Sequence, residues 1–148
     1  MKPQETVDYQ IKNAWHAISR MYNSAAARHD MTMNVGYVLI NVDEREGTPA
    51  THIAPKLGLE VRSLTRTLKK MEEDGLIYRE GDRADRRMVR IRLTAEGVRR
   101  RDIAKETVKQ FNWAVRAQIN PDRLKAFFEV IGEINRIVDG HPVPAGVV

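Results

Sequence analysis

Apolar residues recur three and four positions apart through Val7, Ile11, Ala14, Trp15, Ile18, Met21, Tyr22 and Ala25. They draw one apolar stripe along a helix of about five turns. Thr32 then offers a capping hydroxyl to a second helix carrying Val35, Val38, Leu39 and Val42, which Glu46-Gly47 is expected to end. Thr48-Pro49 reads as the cap and first residue of a third helix, short and closing near Leu57-Gly58, with Pro55 removing one hydrogen bond inside it. A fourth starts around Glu60 and runs to Asp74-Gly75, with Val61, Leu64, Leu68 and Met71 predicted to share its packed face.

Beyond Gly75 the period changes from helical to alternating. "LIYRE" and "MVRIRLT" are strand candidates joined by "GDRADRR", and in the second Val89, Ile91 and Leu93 are expected inside while Met88, Arg90 and Arg92 face water. Thr94 can cap a fifth helix bearing Val98, Ile103, Val108, Phe111, Val115 and Ile119. Asn120-Pro121 breaks the chain before a sixth helix with Leu124, Phe127, Phe128, Ile131, Ile134 and Val138, and "HPVPAGVV" reads as a frayed tail. The pattern therefore predicts a mainly α fold with a small β-hairpin. With 148 residues, 42% of them hydrophobic, one folding unit with its own core is expected.

Charge changes the picture because it is not spread evenly. Of the net +5, the segment Lys56–Arg101 holds 14 Lys and Arg against 8 Asp and Glu, leaving the rest of the chain close to neutral. A localised positive field suits a polyanion. On the fourth helix Arg66 projects almost opposite the apolar face, with Arg62 and Lys69 flanking it and Ser63 and Thr65 beside the ridge. A short helix, a tight turn at Gly58 and a second helix with one packed and one cationic face make a helix-turn-helix, whose second helix enters the DNA major groove. There an arginine can bond two acceptors of one guanine.

Other chemistries find little material. There is no cysteine, hence no disulfide, thiolate metal site or cysteine nucleophile. His16, His29, His52 and His141 are scattered without metal-ligand spacing, and Asp82 and Asp85 sit in an arginine-laden turn, so no catalytic residue, metal or cofactor is expected. An anionic membrane surface would call for a basic amphipathic helix with large exposed apolar residues, whereas these arginines lie on a strand-like segment. Neither a secretory leader nor a run of 18 apolar residues occurs, and a cytoplasmic location is expected.

The stretch Ile53 to Gly97 resembles the winged helix-turn-helix of the MarR family of bacterial transcriptional regulators. The resemblance rests on Leu57-Gly58, Thr65-Arg66, Leu68, Gly75-Leu76-Ile77, Arg79, Asp85, Arg87, and Leu93-Thr94 with Gly97. Outside it the helices agree in number and order rather than in motif. It implies an obligate homodimer on double-stranded DNA: residues 1–30 a dimerisation helix, 31–97 the winged DNA-binding region, 98–140 further dimerisation helices and 141–148 a tail. The apolar stripes of the first and sixth helices agree, carrying more apolar surface than the DNA-binding lobe can cover.

The resemblance further implies that Arg87 enters the minor groove, with Asp85 fixing its guanidinium by an ion pair. Arg83 and Arg86 are expected on phosphates, and Arg90 and Arg92 as solvated strand charges. Two positions depart from the family pattern: Ala84 stands where an arginine is common, and Glu60 where serine or threonine is common. It also implies repression relieved by a small aromatic or anionic effector, for which Trp15, His16, Met33 and Tyr37 are the candidate contacts. The alternative is a winged-helix protein-interaction module without an effector; an acidic fourth helix would favour it, and this one is basic.

Overall fold

The computed structural model describes residues 1–140; the expected tail, with His141, lies outside the described residues. The chain divides into two compact units, Met1–Val108 and a second beginning at Lys109. The elements are a 3-10 turn at Pro3–Glu5, then α1 (Val7–Ala27), α2 (Met33–Asn41), β1 (Thr48–Pro49), α3 (Ala50–Leu57), α4 (Val61–Glu73), β2 (Ile77–Gly81), β3 (Val89–Leu93), α5 (Ala95–Gln118) and α6 (Pro121–Gly140).

Thr32 caps α2 as its sequence position suggests, its Oγ1 accepting the Val35 N–H at 3.2 Å. The end of α2 differs from expectation. The helix stops at Asn41, and Gly47 instead closes a separate turn in which its N–H reaches the Asp43 carbonyl at 3.0 Å. Asp43 holds that turn by accepting the Arg45 and Glu46 N–H groups, and these bonds, Glu46 first, keep its carboxyl below its ordinary pKa.

Thr48 is likewise no helix cap. Its hydroxyl turns back, accepting the Asp43 N–H at 2.9 Å and donating to the Asn41 carbonyl at 3.4 Å. Thr48-Pro49 is a third strand, which the periodicity did not indicate because two residues are too short to alternate. It pairs antiparallel with β3, Thr48 opposite Ile91, giving the order β1-β3-β2. Pro49 is tolerated because β1 lies at the sheet edge, where the N–H it lacks is not required.

Within the first unit, Val38, Leu39, Ile53, Leu64, Leu68, Met71, Leu76, Ile77 and Ile91 form the core, so α2, α3, α4 and both wing strands bury their apolar sides against one another. Gly58 takes φ 61°, the left-handed conformation that lets the chain reverse between α3 and α4 without a Cβ clash. At the other end of α4, Leu76 N–H bonds to the Met71 carbonyl and Gly75 N–H to that of Glu72, the paired closure that delivers the chain into β2.

Thr94 caps α5, its Oγ1 accepting the Gly97 N–H at 3.0 Å while donating to the Gly75 carbonyl at 2.6 Å. One hydroxyl thus fastens the start of α5 to the end of α4. Gly97 packs so closely there that a Cβ would overlap the Leu76 carbonyl oxygen. In the second unit Asn120 opens α6, its side-chain oxygen accepting the Asp122 N–H at 2.8 Å, and Leu124 is the buried residue of that helix.

Candidate nucleic-acid interface

The outer face of α4 exposes Arg62, Ser63, Thr65, Arg66 and Lys69, while Leu64, Leu68 and Met71 turn inward. The expected grouping on one helix face is observed, with one correction. Val61 does not share the packed face; it is 72% exposed, because it is the first residue of α4 and the core begins one turn further on. Glu60 occupies the N-cap without a side-chain capping bond. Thr65 Oγ1 donates to the Val61 carbonyl at 2.8 Å and Thr67 Oγ1 to that of Ser63 at 2.9 Å, so these hydroxyls spend their protons inside the helix.

The second basic element is the turn between β2 and β3, where Arg83, Arg86 and Arg87 are all exposed. Asp82 builds this turn. Its Oδ1 accepts the Ala84 and Asp85 N–H groups at 2.7 and 3.2 Å, and its Oδ2 meets Arg90 Nε at 2.6 Å. The Arg90 guanidinium, followed by the two backbone donors, holds the Asp82 carboxyl below its ordinary pKa.

Asp85 behaves differently from expectation. Its Oδ1 accepts the Arg87 backbone N–H at 2.9 Å, and among the described residues no carboxylate makes an ion pair with the Arg87 guanidinium. Asp85 therefore fixes the backbone of the turn rather than the arginine head group, since two residues in a tight turn bring its oxygen to the main chain first.

Arg90 and Arg92 are likewise not simply solvated. Arg90 Nη1 also reaches the Glu46 and Gly47 carbonyls at 3.3 and 3.4 Å. Arg92 pairs with Glu80 and donates to the Arg45 carbonyl at 2.8 Å. Both arginines bind the wing to the turn 43–47, and Arg101, buried on α5, reaches the same turn through Glu44 at 2.8 Å. Val89, expected inside, is 39% exposed because β3 begins beyond the edge of the core, whereas Ile91 is fully buried.

From α4 to the first turns of α5 the cations fall into two sets. Lys70, Arg79, Arg90, Arg92, Arg99, Arg100 and Arg101 are each paired with a carboxylate. Among the described residues, Arg62, Arg66, Lys69, Arg83, Arg86 and Arg87 have no such partner. The residues tethered within the fold could not be told from the others by charge alone.

The candidate effector residues separate as well. Met33 and Tyr37 line a pocket together with Tyr22, Ile103 and Thr107. Trp15 stacks on Tyr37 with ring centroids 6.4 Å apart, and Tyr22 meets Tyr37 edge-on at 6.2 Å. His16 is exposed and does not line the pocket. Burial raises the pKa of both Tyr22 and Tyr37. Tyr22 was detectable in sequence, lying two helical turns beyond Trp15 on the same stripe; Thr107, on α5, was not.

Among the described residues no group of three or more His, Cys, Asp and Glu is placed to hold a metal ion. None of the described helices is long and apolar enough to cross a membrane.

The HTH-type transcriptional regulator TtmR of Methylorubrum extorquens (strain PA1) is 37% identical over 89 residues, which are 60% of this chain and 46% of that one. The match therefore spans about half the length of that curated relative. Among solved structures, the S. aureus MepR–DNA complex superposes with a TM-score of 0.81 at 19% identity, over 88% of this chain and 97% of that one. CouR from Rhodococcus jostii RHA1 bound to p-coumaroyl-CoA gives 0.78 at 22% identity, over 90% and 94%. At such identities the likeness is one of fold, that of a mostly helical winged-helix protein. The MarR family model matches residues 31–89 directly, from the residue before the α2 cap to the first residue of β3, and that segment of the chain is a MarR-family domain.

Proposed function

We propose that this chain is a homodimeric, sequence-specific DNA-binding transcriptional regulator, acting as a repressor that a small aromatic or anionic molecule releases. The observation that carries the reading is the partition of cations. Guanidinium and ammonium groups left without carboxylates on α4 and on the wing tip are those a phosphate backbone can neutralise. Arg62, Ser63, Thr65, Arg66 and Lys69 would act in the major groove, Arg87 in the minor groove, and Arg83 and Arg86 on phosphates, with Asp85 shaping the turn that carries them. The similarity to TtmR, itself an HTH-type transcriptional regulator, supports the same reading.

Each unit, taken alone, supports dimerisation. In the first, Val7, Tyr9, Ile11 and Trp15 of α1 are exposed; in the second, Phe127, Phe128, Val130, Ile137 and Val138 of α6 are. Apolar surface of this extent calls for a partner. The pocket lined by Tyr22, Met33 and Tyr37 would take the effector: aromatic walls suit a planar ring, and CouR, of like fold, has been captured with p-coumaroyl-CoA.

The test is selection of bound duplexes from a random DNA pool, followed by titration in salt. A defined pair of half-sites about 34 Å apart is expected. So is a log–log salt slope near −0.9 per phosphate, with roughly 6 to 10 phosphates contacted. Failure to enrich any sequence, together with an affinity independent of salt, would overturn the proposal.

A further inference from the structure

Val61 is the most exposed large apolar side chain of the described residues after Met1. It opens α4, and the first turn of a groove-binding helix is the part that meets base edges. At about 100° per residue, Val61 and Thr65 lie roughly 40° apart, on the flank of the ridge formed by Arg62, Arg66 and Lys69. Thr65 has already given its hydroxyl proton to the Val61 carbonyl, so outward it presents a methyl group and acceptor lone pairs. The two residues make a small apolar ledge at the margin of a cationic face, facing a groove shared with Ala54, Pro55 and Leu59.

What covers this ledge must also accommodate the cations beside it, which excludes most apolar partners. DNA meets both conditions, because the C5-methyl of thymine is the one apolar group on a major-groove base edge and phosphates flank it. We propose that Val61, with the Thr65 methyl next to it, reads a thymine methyl and so sets base preference at one position of each half-site. The assignment rests on the DNA-binding reading above.

The experiment uses the full-length protein and the duplex it selects from a random pool. Each thymine is replaced singly by deoxyuridine, which removes only the methyl. One position per half-site should weaken wild-type binding about fourfold, the change expected for one buried methyl. In Val61→Ala the same replacement should have no effect on affinity, while Val61→Ile should restore the discrimination. Alanine is the better helix former at an exposed site, so the variant should fold, as circular dichroism can verify. The proposal is overturned if wild type shows no methyl dependence at any position, if its selected site contains no thymine, or if Val61→Ala discriminates as wild type does. Tight, selective binding with any of these results removes this inference alone; absence of selective binding removes the DNA-binding reading with it.

Discussion

Arg90 Nε and Asp82 Oδ2 meet at 2.6 Å across the wing, and the same carboxylate caps the Ala84 and Asp85 N–H groups of the turn. The charge that closes the hairpin thus also shapes the loop carrying Arg83, Arg86 and Arg87. Arg90 continues to the Glu46 and Gly47 carbonyls, so this pair couples the tip conformation to the turn 43–47, to which Arg92 also binds the wing.

Because the folded pKa of Asp82 is lowered, its contribution is complete above the ordinary carboxylate pKa of about 4 and is lost as pH falls through the depressed value. At neutral pH, Asp82→Asn should loosen residues 83–87 and weaken DNA binding while leaving the core intact. Amide NMR shifts of Ala84 and Asp85 should move together only in acid in the wild type; movement near pH 7 would contradict the assignment.

The two basic elements should fail differently. Arg66→Ala is expected to cost about 1 to 3 kcal/mol of DNA binding and to relax preference at one base position. Arg87→Ala should weaken binding most where the wing meets a narrow, A·T-rich minor groove. Fluorescence anisotropy against the selected duplex and its single-base variants separates the two; a uniform loss for Arg66→Ala would make it a phosphate contact.

Gly97→Ala should destabilise the protein by about 1 to 3 kcal/mol, since the new methyl overlaps the Leu76 carbonyl, which is backbone and cannot swing away. Gly132→Ala on α6 meets nothing within 4 Å and should be neutral or stabilising by up to about 1 kcal/mol. Urea unfolding of both variants checks the contrast.

Placing charge on the exposed apolar positions of α6, as in Phe128→Asp or Ile137→Asp, should give a monomer at micromolar concentration, where the wild type is expected to sediment as a dimer. Wild type that remains monomeric there would count against the dimer itself.

An aromatic carboxylate that fits the Tyr37 pocket should raise the unfolding midpoint, by a free energy of about 2.7 kcal/mol at a hundredfold excess over Kd. It should also quench Trp15, which stacks on Tyr37, and release DNA. Tyr37→Leu should blunt all three effects, and His16→Ala should leave them unchanged because His16 does not line the pocket.

The sequence by itself determined the helices, the wing strands and the cationic face of α4. Periods of 3.6 and 2 are local properties, and so are the Thr32 and Thr94 caps and the Gly58 and Gly75 turns, which act within a few residues. Only the tertiary structure decided which charges are tethered. Arg90 meets Glu46, Arg92 meets Arg45 and Arg101 meets Glu44 over more than forty residues of chain. It also decided that Thr48-Pro49 becomes an edge strand and that Val61 stands clear of the core. Periodicity gives the direction of a side chain, whereas its burial depends on where the neighbouring element ends, and that is fixed only when the elements pack.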